Sequence, residues 1–127
     1  MVRAICVDPD EIDKYWPSVS ALIESALSGF PTLEKIETDL SYGLNLLWLA
    51  VEGEETRGVA VTGLVGDACE IIAAAGTHVD TWLHLITDIE RYARAEECSR
   101  VRIIGRKGWL RMLPEYKQTN IILERPL

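Results

Sequence analysis

Cysteine is scarce and poorly placed for cross-linking. The three in this 127-residue chain, Cys6, Cys69 and Cys98, are odd in number, far apart and without a CxxC pair. That excludes a disulfide framework or a zinc knuckle and fits a reducing compartment. Histidine is scarcer: there are two, His78 and His84, close together in one segment, so spacing assembles neither Ser-His-Asp nor Cys-His chemistry. Lys and Arg number 13 against 20 Asp and Glu, a net charge of -7, which argues against broad nucleic-acid binding because phosphate contacts need a cationic surplus. No long apolar run exists. The longest uncharged stretch, 40–51, is short and broken by Gly43 and Asn45, which excludes a bilayer-spanning helix. The start carries no basic segment followed by an apolar one, as a signal peptide requires, so a cytoplasmic protein without membrane association is expected. There is no internal repeat and no linker-like tract. Gly63 to Gly66 lacks the Gly-Lys-Ser/Thr ending of a phosphate loop.

What is present reads as one globular domain over 1–127. The chain is 48% apolar and 26% charged, enough to bury one core at this length. Residues 3–7 alternate as a first strand. Asp8-Pro9-Asp10-Glu11 is a helix start with Asp8 as cap and Glu11 closing a capping box. Ile12, Tyr15, Trp16, Val19, Leu22, Ile23, Ala26 and Leu27 then share one helical face. Pro17 interrupts that pattern, predicting a kinked helix or two pieces that end at Gly29. Thr32 caps a short second helix burying Leu33, Ile36 and Leu40 and stopped by Gly43. Strands at 46–51, 57–65 and 69–74 suit a meander of hairpins. Thr77 caps a long helix through about Glu96, with Val79, Trp82, Leu83, Ile86, Ile89 and Ala93 inward. A strand at 100–104, a short helix at 109–113 stopped by Pro114, and a last strand at 119–124 complete the chain.

Strand, two helices, three-stranded meander, long helix, strand, short helix, strand is the element order of the GNAT N-acetyltransferase superfamily, and the resemblance covers nearly the whole chain. The run Gly105-Arg106-Lys107-Gly108-Trp109-Leu110-Arg111-Met112-Leu113 before Tyr116, with Trp16-Pro17 in the first helix, resembles small GNAT-like proteins of phages and prophages. The resemblance implies an α/β (α+β) fold with a mixed, mainly antiparallel sheet flanked by helices. It also implies an acetyl-CoA site where the fourth and fifth strands splay, with the pyrophosphate on the N-terminus of the long helix, a general anion site. Here that place is Ala75, Gly76, Thr77 and His78, with Arg106 and Lys107 in reach of CoA phosphates. The family's Gln or Arg followed by two spaced glycines is reduced to Gly76, and its usual acid tyrosine falls at Met112 and Leu113, with Tyr116 beyond Pro114.

Glu70 on the fourth strand is the candidate general base and Tyr116 the candidate proton donor. The plainer reading of Glu70 is an outward strand residue. Asp80, His84 and Asp88 share one helix face, but a solvated face explains them better than a metal, and no metal is expected. Arg100, Arg102, Arg106, Lys107 and Arg111 form a basic surface suited, through Arg106 and Lys107, to CoA phosphates, or as a group to a nucleic-acid backbone or an acidic protein partner; the plainer reading is that Arg100 and Arg102 are the outer face of a strand while the others pair with nearby carboxylates. The four tryptophans suit core packing, with Trp109 alone placed to line the opening. An exposed sheet edge would allow a homodimer. Between two functions, a non-catalytic accessory protein on this fold is favoured by the reduced loop; the alternative is an active acetyl-CoA-dependent N-acetyltransferase.

Overall fold

The computed structural model describes residues 2–27, 31–77, 79–103, 115–117 and 125–126. Strand β1 (Val2–Val7) is followed by a 3-10 turn at Pro9–Glu11 and helix α1 (Ile12–Ser25). Asp8 does cap the turn, accepting from the Asp10 N–H at 2.9 Å. The capping box does not form, because Glu11 turns to Lys14 instead. Pro17 divides nothing. α1 is one helix through it, with Ile12, Val19 and Ile23 buried. Pro17 itself is exposed, so its ring meets solvent and the apolar face keeps its phase.

Helix α2 (Leu33–Ser41) begins at Thr32, whose hydroxyl accepts from the Lys35 N–H at 3.2 Å. It stops at Gly43, whose φ of +75° supplies the left-handed residue that ends many helices. Strands β2 (Asn45–Glu52), β3 (Glu55–Val65) and β4 (Ala68–Gly76) form the expected meander. Helix α3 (Val79–Ala95) then crosses to β5 (Arg100–Ile103). The sheet order is β1-β2-β3-β4-β5, antiparallel except for the last pair. One call on a side chain changes. Leu83, expected inward, is 45% exposed, while Leu85 is buried beside Ile86, Ile89 and Ala93. At Thr77, expected to cap α3, both the N–H and the hydroxyl donate to the Arg57 carbonyl on β3. The expected helix at 109–113 and strand at 119–124 lie outside the described residues, as does the strand residue Ile104.

The sheet separates two cores. On one face Val7, Leu47, Leu49, Val51, Val59, Val61 and Ala73 pack under α1 and α2. On the other Trp48, Ala50, Ala60, Cys69 and Ile71 pack under α3. Alternate residues of each strand supply alternate faces, as the pleat requires.

Candidate functional site

β4 and β5 pair in parallel. Their parallel register runs Ala68↔Arg100, Cys69↔Val101, Glu70↔Arg102 and Ile71↔Ile103. β4 continues for five more residues, Ile72 to Gly76, paired on the β3 side. Among the described residues no strand meets its other edge. At that point the β3–β4 register also shifts: Thr62 faces Ile71 and Val61 faces Ala73, so Ile72 is an extra, bulged residue. The side chains of β4 beyond Ile72 are those of Ala73, Ala74 and Ala75, followed by Gly76, small enough for another chain to approach the backbone.

Glu70 faces Arg102, one residue before the last described pair, Ile71↔Ile103. Its neighbours Cys69 and Ile71 belong to the α3 core, so its side chain rises from the α1–α2 face. There Arg102 Nη1 donates to Glu70 Oε2 at 2.8 Å, and the Glu70 side chain retains only 17% of its exposure. Oε1 is left without a hydrogen bond among the described residues. The same row crosses the sheet as Asn45↔Gly63↔Glu70↔Arg102. From the sequence Asn45 was only a polar break in an uncharged stretch, not a site residue. Its signal was faint: a polar residue opening a strand whose partner position is a glycine.

Tyr116 is not brought to Glu70. It packs in the α3 core, where its hydroxyl donates to Glu90 Oε2 at 2.7 Å. Burial first, and then the Glu90 carboxylate, push its ionisation well above the tyrosine range. The two candidate catalytic groups therefore lie on opposite faces of the sheet.

Of the expected anion site, Ala75 and Gly76 end β4 at the approach to α3. Thr77 donates to Arg57 and is not a free donor. The Arg57 guanidinium is in turn held by Glu52 and Glu55, and its buried Nε lacks a partner among the described residues. His78, Arg106, Lys107 and Arg111 lie outside the described residues. Of the basic surface, Arg100 pairs with Asp67 at 3.0 Å and Arg102 with Glu70. His84 is exposed, and Asp88 pairs with Arg91 at 2.8 Å. Among the described residues no group of three potential metal ligands comes together, and no helix is long and apolar enough to cross a membrane.

Trp48 is core, as expected, with its indole N–H on Thr62 at 2.9 Å and its ring edge-on to Tyr92 at 5.5 Å. Trp16 is partly buried against the α1–α2 core. Trp109 lies outside the described residues.

No known family's sequence profile matches the chain, and no curated protein matches it. Solved structures do match. An aminoglycoside acetyltransferase from an uncultured soil metagenomic sample, in complex with sisomicin, aligns over 99% of this chain and 96% of its own at a TM-score of 0.70 and 13% identity. A Bacillus subtilis acetyltransferase in complex with CoA aligns over 91% of this chain and 74% of its own, at 0.70 and 16%. A predicted acetyltransferase from Clostridium acetobutylicum, with acetyl-CoA, aligns over 99% and 96%, at 0.66 and 11%. The fold is that of the GNAT acetyltransferases.

Proposed function

We propose that this chain is an acetyl-CoA-dependent N-acetyltransferase acting on a primary amine, with Glu70 as the group that takes the amine's proton. One observation carries the reading: on β4 the Glu70 carboxylate is largely buried and held at 2.8 Å by Arg102 of β5. Fold alone does not decide function, but a buried, oriented carboxylate on that strand supports a proton acceptor there. Sequence reasoning favoured the non-catalytic alternative because of the reduced loop; the held Glu70 carboxylate tips the balance the other way.

The residues fit the cofactor in two respects. The small side chains from Ala73 to Gly76 leave room for an extended, amide-bearing arm close to the β4 backbone. The first-turn N–H groups of α3 suit phosphates. Acetyl-CoA would supply an acetyl group activated as a thioester. Arg102 holds Oε2 of Glu70 and so orients the carboxylate, leaving Oε1 for the substrate. An ammonium that gives its proton to Glu70 becomes a neutral nucleophile with a free lone pair. We assign Tyr116 a packing role, because its hydroxyl is committed to Glu90 on the α3 side.

A second reading, a binding or accessory protein that has kept the fold, is favoured by the engagement of Thr77 with Arg57. Calorimetric titration with acetyl-CoA, with CoA as control, separates the two. Saturable binding together with amine acetylation that drops by about 10²–10⁴-fold in Glu70→Gln, a usual range for a lost general base, supports the enzyme. Absence of binding at millimolar ligand overturns it.

A further inference from the structure

We infer that the end of the sheet carrying Tyr42, Leu44, Leu64 and Val65 is the contact face of a two-fold homodimer. Among the described residues the large apolar side chains left exposed are these four and Leu83. Leu83 stands early in α3, which follows the far end of β4, so it is separate from the group. Tyr42 is 78% and Leu44 67% exposed, and Leu64 and Val65 are half-exposed.

Strand register gathers the four. β2 and β3 pair as Trp48↔Ala60, Leu46↔Thr62 and Asn45↔Gly63, so Leu44, immediately before β2, takes the next place beside Leu64. Leu64 shares a face with Ala60 and Thr62, by the alternation of the pleat. The row of Trp48, Ala60 and Leu46 packs under α3 and then emerges bare at Leu64 and Leu44. Val65 follows at the β3–β4 turn, where it pairs with Ala68. Tyr42 closes α2 two residues before Leu44.

The two segments that meet here, 40–51 and 58–66, contain no Asp, Glu, Lys or Arg, in a chain of net charge -7. A strongly charged partner therefore finds nothing on them to pair with. A membrane surface is a poor occupant as well, because surface-bound apolar faces are flanked by Lys and Arg that meet anionic lipid. A second copy brings the same charge-free apolar face, and a two-fold axis covers both at once.

The area fits that occupant. Side chains of this size at these exposures leave roughly 400–500 Å² of apolar surface per copy, at the upper end of what monomers show. Two copies bury about 900 Å² of it between them, and the surrounding rim carries the total past the ~1,000 Å² at which specific association begins. The total stays well below the roughly 2,000 Å² or more of obligate dimers, so the association is reversible.

Sedimentation equilibrium of the full chain, from about 1 μM to 1 mM, tests this. A monomer–dimer equilibrium that ends at the dimer is expected, since a two-fold contact closes on itself. Raising salt from about 50 to 500 mM tightens it, because screening relieves the repulsion between two copies of net charge -7. Leu44→Asp weakens the dimer by about 100-fold or more, as each dimer then buries two carboxylates. Tyr42→Ser, at the most exposed of the four positions, leaves the core untouched and weakens it by about tenfold or more. Leu83→Asp, a change of the same kind on α3, leaves the dimer constant as it was.

A monomer throughout that range overturns the homodimer and leaves the face to a different protein. A dimer that both Leu44→Asp and Tyr42→Ser leave intact, one that Leu83→Asp disrupts as strongly, or one that loosens with salt overturns it too. The homodimer stands apart from the acetyltransferase reading: absence of acetyl-CoA binding removes the enzyme and leaves the sedimentation result unchanged.

Discussion

Single side chains in this protein earn their positions by finding partners inside the layers. Thr62 is 1% exposed on the α3 face and is there to accept the Trp48 indole N–H. Thr62→Val keeps the shape but strands that donor, so a loss of about 1–3 kcal/mol in urea unfolding is expected. Tyr116 illustrates the opposite of its sequence-based expectation. Its hydroxyl donates to Glu90 and its ring packs against the α3 core. Tyr116→Phe should lower stability by about 1 kcal/mol while leaving amine acetylation unchanged. A collapse of kcat in that variant would restore Tyr116 as a catalytic group.

Elements are bounded by a few backbone features, and one of them carries strain. After α3 ends at Ala95, Glu97 adopts φ of +63°, a region that costs a residue with a Cβ about 1–2 kcal/mol. The turn is closed by Cys98 N–H donating to the Ala93 carbonyl at 2.9 Å and Glu97 N–H donating to Arg94 at 3.1 Å, the bonding of a left-handed helix end. Glycine suits that place. Glu97→Gly is expected to raise the urea midpoint, by up to about 1 kcal/mol after the greater entropy of the unfolded glycine is deducted. The element that follows depends on the same turn: Ser99 N–H donates to the Asp67 carbonyl, Ser99 Oγ donates to the Asp67 carboxylate, and Arg100 pairs with it. These contacts hold the Asp67 carboxyl below the ordinary range, the Ser99 hydrogen bond being the largest cause and Arg100 the next. They also set where β5 starts against β4.

At the scale of the whole molecule, alkaline pH works against the α3 core. Burial, with Cys98 nearby, pushes the Cys69 thiol up to about 11 from an ordinary 9.0. Cys6, Tyr92 and Tyr116 are raised as well, each chiefly by burial. In every case the unfolded chain loses its proton at a lower pH than the folded one, so rising pH favours unfolding. Stability should be intact below 9.0 and fall from there to about 11, where the Cys69 contribution levels off while the tyrosines continue it. Cys69→Ala should flatten the first part of that decline in a pH series of urea midpoints. An identical slope in the variant would assign the decline to the tyrosines and Cys6 alone.

The element order was legible in the residues because helix and strand periodicity depends only on neighbours a few positions away. Asp8, Thr32 and Gly43 marked ends that the structure keeps, since caps and stops are local hydrogen bonding and local φ. Glu70 could be placed on β4 for the same reason. Which groups surround Glu70 could not be read. Its partner Arg102 and its neighbours Gly63 and Asn45 come from three other strands, and that row exists only once the parallel register of β4 on β5 is set. Tyr116 and Glu70 looked combinable along the chain because sequence distance says nothing about faces; the pleat then sends them to opposite sides of one sheet. Local backbone geometry therefore determined the elements and the chemistry each could offer, whereas cross-strand register, a property of contacts tens of residues apart, decided which of those chemistries share a site.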